Sequence, residues 1–350
     1  MSTVAAEQPS GRLQAALAIA LPLVLAFAGT AILLALAGHN PVEVYSLLIV
    51  ESFGGTRRIA ATLSAATPLM LTGLATAIAF RAGAFNVGVE GCVYVGGLAA
   101  AYVGFTFVGL PAAILLPLAL ATGLVVGSLW MLVPGVLKAR LDVDEVVTTL
   151  MLNFIAISLT AYLVNGPLLA PGSANSATPM VDAAARLPRL MPPSTLNAGF
   201  LIAVALLVLY WLWGKRTAPG FETRLAGLNP RFATASGIDV PGLIIKMMLL
   251  SGAIGGLAGA VHALGNVGRF VSGFSPGYGF AGIAVALLGR GSAIGIFLAA
   301  ILFGALAASG ATIQLFSDVP IEIVNVLQGM VMIFAVARFG WIMSKKRGAA

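Results

Sequence analysis

Gly273-Phe274-Ser275-Pro276-Gly277 has the G-x-S-x-G spacing of a serine nucleophile on a sharp turn. Gly277-Tyr278-Gly279-Phe280-Ala281-Gly282 has the G-x-G-x-x-G spacing of a dinucleotide loop. The first chemistry needs a strand–turn–helix context and a later histidine, and the second needs a strand before its glycines. Neither context is present, and both histidines, His39 and His262, precede Ser275. The two histidines are also too far apart for a zinc motif, and the single Cys92 allows no internal disulfide and no multi-cysteine metal site. A phosphate loop is missing as well, because Gly214-Lys215 is followed by Arg216. If ATP drives this protein, another chain hydrolyses it.

The residues left to carry function are isolated polar groups in apolar surroundings: Asn86, Glu90, Asn153, Lys246, Glu322, Asn325 and Gln328. An ionisable group near the centre of a bilayer costs about 2.5–3.5 kcal/mol on insertion scales, so such residues are few and have a reason. An ion-coupled transporter places carboxylates in mid-membrane. Here the mid-span positions are almost entirely apolar, Gly, Ser or Thr, which speaks against ion coupling. Glu90 reads first as a carboxylate at a helix start, favoured by the helix dipole, and second as a substrate contact. Asn153 and Asn325 read as interhelical hydrogen-bonding groups.

The elements that hold these residues follow from composition. The chain has 350 residues, 59% hydrophobic and 9% charged, against about 25% charged in soluble domains. A cytosolic enzyme, a secreted disulfide scaffold and a disordered chain are excluded, and most of the surface must face lipid. Ten apolar stretches approach the roughly 20 residues of a spanning helix: Leu13–Ala37, Ile59–Phe80, Val87–Val108, Ala112–Val133, Val146–Asn165, Leu196–Trp213, Leu243–Leu264, Tyr278–Leu288, Ile294–Leu315 and Ile321–Ala337. The eighth is short and glycine-rich, as a broken or partly re-entrant helix would be. The first is too long in its apolar core for a cleaved signal peptide and reads as a span. The expected fold is all-α, a polytopic bundle of about ten transmembrane helices in a single permease domain over 1–350.

With the N-terminus inside and ten crossings, Arg57, Arg58, Arg186, Arg189 and Arg269 fall outside and the other fourteen of the 19 basic residues fall inside. That asymmetry predicts an N-in, C-in topology. The net charge of +7 is then a property of cytoplasmic loops facing anionic lipid and partners, not of nucleic-acid binding. Gly252-xxx-Gly256 and Gly255-xxx-Gly259 share one helix and offer small faces for close packing.

Two loops are long. Residues 166–195 lie outside, rich in Pro, Ser and Ala, and read as an external cap or as an interfacial helix over Val181–Leu187. Residues 214–242 lie inside and are basic. There Phe221–Leu228 reads as one short helix, Asn229-Pro230 as a cap with proline at the first helical position, Arg231–Ser236 as a second helix and Gly237 as its C-terminal glycine. Two helices in a cytoplasmic loop suggest a surface for another protein, the alternative being an ordered connector.

Four segments together resemble the permeases of ABC importers of the type II, nucleoside and simple-sugar branch, related to ribose permeases. They are Phe80-Arg81-Ala82-Gly83-Ala84-Phe85-Asn86-Val87-Gly88-Val89-Glu90-Gly91, then Asp144–Ala156 with Tyr162–Leu168, then Gly227–Ala233 with Ser236-Gly237-Ile238, and Gly279–Arg290. The resemblance runs from about residue 60 to 340, in order. Cys92 departs from it, standing where many relatives carry glutamine, and Thr234 stands where alanine is commoner.

The resemblance implies an inner-membrane permease subunit that is not an enzyme. It implies a cassette ATPase with two fused nucleotide-binding domains, which would hold ATP and Mg, so that this chain binds no cofactor. It further implies a second homologous permease or a copy of this chain, and a periplasmic or lipid-anchored solute-binding protein. The 214–242 loop would couple to the ATPase through Phe221, Arg224, Gly227, Asn229, Pro230, Ala233 and Gly237. Phe85, Asn86, Glu90 and Asn153 are the candidates for the solute pathway. With few charges in the spans to neutralise an ion, the expected solute is neutral, a nucleoside or purine base and next a simple sugar. Gly83, Gly88, Gly91, Gly277, Gly279 and Gly282 flank helix breaks and are expected to serve packing or bending. The competing expectation is an ion-coupled secondary transporter working without an ATPase.

Overall fold

The computed structural model describes residues 9–173, 175–316 and 325–334. Among them there is no β-strand, only two isolated bridges, Ala177 with Val271 and Arg189 with Asn197. The helices are α1 (Pro9–Leu36), α2 (Pro41–Phe53), α3 (Thr56–Arg81), α4 (Val89–Thr106), α5 (Ala112–Trp130), α6 (Leu132–Leu141), α7 (Glu145–Asn165), α8 (Gly199–Arg216), α9 (Ala218–Leu228), α10 (Pro230–Ala235), α11 (Val240–Val261), α12 (Tyr278–Leu288) and α13 (Ala293–Phe316), with α14 at Asn325–Phe334. Seven helical stretches are long and apolar enough to cross a membrane; Leu23–Leu36, Tyr278–Leu288 and Asn325–Phe334 are shorter apolar helices. Glu322 and the basic residues Arg338, Lys345, Lys346 and Arg347 lie outside the described residues, as does part of the tenth stretch.

The chain forms two compact units, residues 52–308 and residues 1–51 with 309–350. In the smaller unit, the Tyr45 hydroxyl of α2 donates to the Phe27 carbonyl of α1 at 2.6 Å, and the two rings meet edge to face at 5.4 Å. Gly29 of α1 packs against Met330 of α14.

The larger unit is organised by small residues. A Cβ added at Gly256 of α11 would overlap the Gly123 carbonyl and Gly127 of α5, and one at Gly259 would overlap the Val93 carbonyl of α4. Gly96 of α4 faces Gly256, and Gly252 faces Gly127 and Met131. Backbone therefore meets backbone along the α4–α5–α11 seam. Close approach maximises dispersion contact where lipid supplies no hydrophobic drive between helices. Both overlapping glycine pairs of α11 serve this seam, Gly255 by packing on Cys92 and Val89. Cys92 is fully buried there, in a core with Ala79, Ala84, Met131 and Met248.

Three expectations need correction. Pro41–Phe53 forms a helix that the hydropathy pattern missed, because Glu43 and Glu51 interrupt its apolar run. The fourth stretch does not stop at Val133; the chain turns at the buried Met131 and continues helical to Leu141. Tyr278–Leu288 has its expected bounds and is short, an 11-residue α-helix about 16 Å long and so about half the apolar thickness of a bilayer, and needs no correction. Finally, Val181–Leu187 is not an interfacial helix. It holds one 3₁₀ turn, Ala183–Ala185, capped by Asp182. Its amides are taken elsewhere: Val181 donates to the Gly268 carbonyl at 2.9 Å, Asp182 to Gly104 at 2.9 Å and Leu187 to Leu264 at 3.1 Å. Val181, Ala185 and Leu187 are buried, so the segment turns its large apolar side chains into the protein and not toward lipid.

Candidate functional site

Two groups of residues stand out, a buried polar junction where α3, α4, α7, α11 and α12 meet and the loop that carries α9 and α10. The junction begins with Gly277, whose left-handed φ of +92° turns the chain into α12. The Ser275 hydroxyl accepts from the amides of Gly277 and Tyr278 at 3.2 and 3.0 Å. The serine of the G-x-S-x-G segment is thus a helix cap, satisfying amides that have no partner inside the helix. The next amide, Gly279, donates to the Glu90 carboxylate at 2.5 Å. Glu90 sits in the first turn of α4, yet it serves the start of α12, where the dipole and the free amides both favour an anion. Close approach makes this reach possible, since a Cβ on Gly279 would overlap the Glu90 backbone and one on Gly282 would overlap Thr72. The Thr72 hydroxyl donates to the Tyr278 carbonyl at 2.9 Å.

Asn86 and Asn153 complete the junction. Asn86 Nδ2 donates to the Ser251 hydroxyl at 2.8 Å, and that hydroxyl donates to the Ala75 carbonyl at 2.7 Å. The Asn86 oxygen accepts from the Gly88 amide at 2.7 Å. Asn153 of α7 accepts from the Gly91 amide at 2.7 Å and donates to the Val87 carbonyl at 2.9 Å. All three, Asn86, Glu90 and Asn153, are buried, and each is bonded to groups of this chain. Among the described residues Glu90 is the one buried carboxylate.

Phe85, the fourth pathway candidate, is different. It is 37% exposed and stacks on Phe80 at 4.4 Å. Its amide donates to Glu145 at 3.1 Å, and Glu145 pairs with Lys138 at 3.2 Å. Nothing in the sequence marked the partners of Glu145, Ser251 or Thr72, because Phe85, Asn86 and Tyr278 lie 60, 165 and 206 positions away in the chain; Ser275 stood out only as the serine of a G-x-S-x-G segment, and its local role as a cap was missed. Of the glycines singled out, Gly279 and Gly282 permit close approach, as does Gly91, which faces Asn153 and Ala156. Gly83 and Gly277 hold left-handed turns.

The loop matches its expected form closely. Thr217, Asn229 and Asp239 cap α9, α10 and α11 in succession, accepting from Gly220 at 3.2 Å, Phe232 at 3.0 Å and Gly242 at 3.1 Å. Pro230 occupies the first turn of α10, and Gly237 follows that helix with φ +84°. Of the seven coupling candidates, Phe221, Arg224, Asn229, Pro230 and Gly237 are exposed. Ala233 is buried and Gly227 faces inward, where a Cβ would overlap the Arg81 carbonyl. These two therefore seat the loop and do not present it. Leu228 and Phe232 are large, apolar and exposed, at 71% and 56%, and belong to the presented face.

Among the described residues no three His, Cys, Asp or Glu side chains converge as a metal site would require. Seven helical stretches long enough to cross a bilayer, a hydrogen-bonded interior and a preformed two-helix loop define a polytopic membrane protein.

A family profile described as "Branched-chain amino acid transport system / permease component" matches residues 58–336. A guanosine ABC transporter permease of Bacillus subtilis is 37% identical over 93% of this chain and 96% of its own. A glucose ABC transporter permease of Haloferax volcanii is 35% identical over 85% and 80%. A nucleoside ABC transporter permease of Lactococcus lactis is 34% identical over 91% and 89%. The chain belongs to this family of ABC transporter permeases. It is a multi-pass membrane transport subunit, and membership implies two kinds of partner, an ATPase and a solute-binding protein.

Proposed function

We propose that the chain imports a neutral solute, a nucleoside or purine base and next a simple sugar, with the α9–α10 loop on the cytoplasmic side as the docking surface for the ATPase. The observation that carries the coupling part is the presented face of that loop: Phe221, Leu228 and Phe232 lie exposed beside Arg224 and Arg231 on helices already capped and fixed. Apolar side chains held outward with arginines beside them suit a protein partner of mixed apolar and acidic character. Membership of the family and the printed names of the guanosine, nucleoside and glucose relatives support the choice of solute. So does the interior, whose one buried carboxylate among the described residues is bonded to the start of α12. ATP and Mg belong in this reading to the ATPase, whose two nucleotide-binding domains are fused. A second permease, homologous or identical, encloses the pathway with this one.

Within this reading Asn86, Glu90 and Asn153 shape the pathway wall, and Phe85 is the candidate for direct contact. Cys92 lies in the α4–α5–α11 seam, so its replacement of glutamine bears on helix packing.

The test is uptake of tritiated guanosine into vesicles holding the full complex with its solute-binding protein. ATP-dependent uptake is expected, with no uptake from a proton or sodium gradient when the ATPase is left out. Gradient-driven uptake without ATPase would establish the secondary transporter instead. Leu228→Glu and Phe232→Glu should each abolish co-purification of the ATPase while changing stability by no more than about 0.5 kcal/mol, as surface substitutions do.

A further inference from the structure

Arg81 is the last residue of α3, and it holds both ends of α9. Its Nη2 donates to the Gly214 carbonyl in the last turn of α8 at 2.8 Å and to the Gly220 carbonyl in the first turn of α9 at 3.3 Å. The guanidinium also lies over the rings of Tyr210 and Trp213, at 5.8 and 5.4 Å. At the other end of α9, Gly227 rests on the Arg81 carbonyl and on Gly83, so closely that a Cβ would overlap that carbonyl. One residue thus clasps the start of the helix with its side chain and supports its end with its backbone. A planar, permanently charged fork stacked on aromatic rings suits this task; an ammonium on a flexible stem does not.

The other end of the connection is equally short of slack. α3 is buried along most of its length. Less than two turns before Arg81, the Ala75 carbonyl accepts from Ser251, which holds Asn86. Thr72 holds the Tyr278 carbonyl, one residue from the amide that binds Glu90. A displacement of α9 therefore has a continuous hydrogen-bonded route into α11, α12 and the start of α4. Packed helices joined in this way shift as rigid pieces.

We propose that Arg81 is the positioning residue through which movement of the α9–α10 loop is passed along α3 to the Asn86–Glu90 junction, an inference that rests on the coupling reading above. Removing its side chain should leave the docking face intact and uncouple it from the pathway.

The experiment uses the full complex in vesicles with tritiated guanosine. Three quantities are measured for Arg81→Ala, Arg81→Gln and Arg81→Lys: ATPase co-purification, ATP hydrolysis, and guanosine moved per ATP hydrolysed. For Arg81→Ala the expected result is retained ATPase and a fall of about tenfold in guanosine per ATP, with partial recovery in Arg81→Lys, which keeps the charge and N–H donors but not the planar, stacked fork. An unchanged ratio in Arg81→Ala overturns the proposal. If Arg81→Ala fails to assemble, the lysine and glutamine variants decide: a lowered ratio in both upholds it, and a ratio equal to the parent chain in either overturns it. A merely structural role would lower the amount of complex and leave the ratio untouched. Failure of the coupling reading itself shows separately, as ATPase capture that survives Leu228→Glu and Phe232→Glu.

Discussion

Helices α3, α4 and α11 and the stretches α5–α6, α7 and α8 are all long and apolar, yet they occupy opposite environments. In the first set 83, 78 and 72% of the apolar window is buried, whereas in each of the second it is 22%. Hydropathy does not separate them. What separates them is the presence of small and hydrogen-bonding residues on more than one face. α11 carries Ser251, Gly252, Gly255, Gly256 and Gly259 and meets α4 and α5 on different sides. α7 and α8 instead turn Val147, Phe154, Tyr162, Leu201 and Leu209 outward, each more than half exposed. Apolar character puts a helix in the membrane; shape and fixed polar groups decide whether it reaches the centre.

The sharpest way to break this comparison is to fill the seam. Gly256→Val would drive a branched side chain into the Gly123 carbonyl and Gly127. The expected cost is at or above the top of the usual overpacking range of about 1–3 kcal/mol, read as loss of a monodisperse peak in detergent gel filtration. A stable Gly256→Val protein would mean that the seam is looser than its geometry. Next in size is Glu90→Ala, which strands the Gly279 amide in the interior at a cost of about 1–3 kcal/mol. Thermal unfolding of the purified chain measures it, and Glu90→Gln, which keeps an acceptor, should lose less. The smallest effect belongs to the outer set: Phe154→Leu should change stability by at most about 0.5 kcal/mol. A larger loss there would show that α7 is covered by a partner that stabilises it.

Much of this was legible in the residues themselves. The glycine pairs of α11 announced close packing, and Asn153 announced an interhelical bond, because a polar group in an apolar span has few other uses. The loop was legible to within a few residues, since Asn229, Pro230 and Gly237 are cap chemistry at fixed spacing. What the sequence withheld was the identity of the partners. Glu90 reads as a cap for its own helix, and only folding brings it to Gly279, 189 positions away. Gly227 and Ala233 looked like part of a docking motif until their neighbours were known. Arg81 looked like one more inside-facing cation, for its two carbonyl partners lie 133 and 139 positions on.

Three side-chain caps in a row, from Thr217, Asn229 and Asp239, have a thermodynamic consequence. A segment that is already folded loses little chain freedom when a neighbour seats on it. Calorimetry of that encounter should therefore give a heat-capacity change matching the buried contact area alone, without the larger signal that accompanies a segment ordering as it binds.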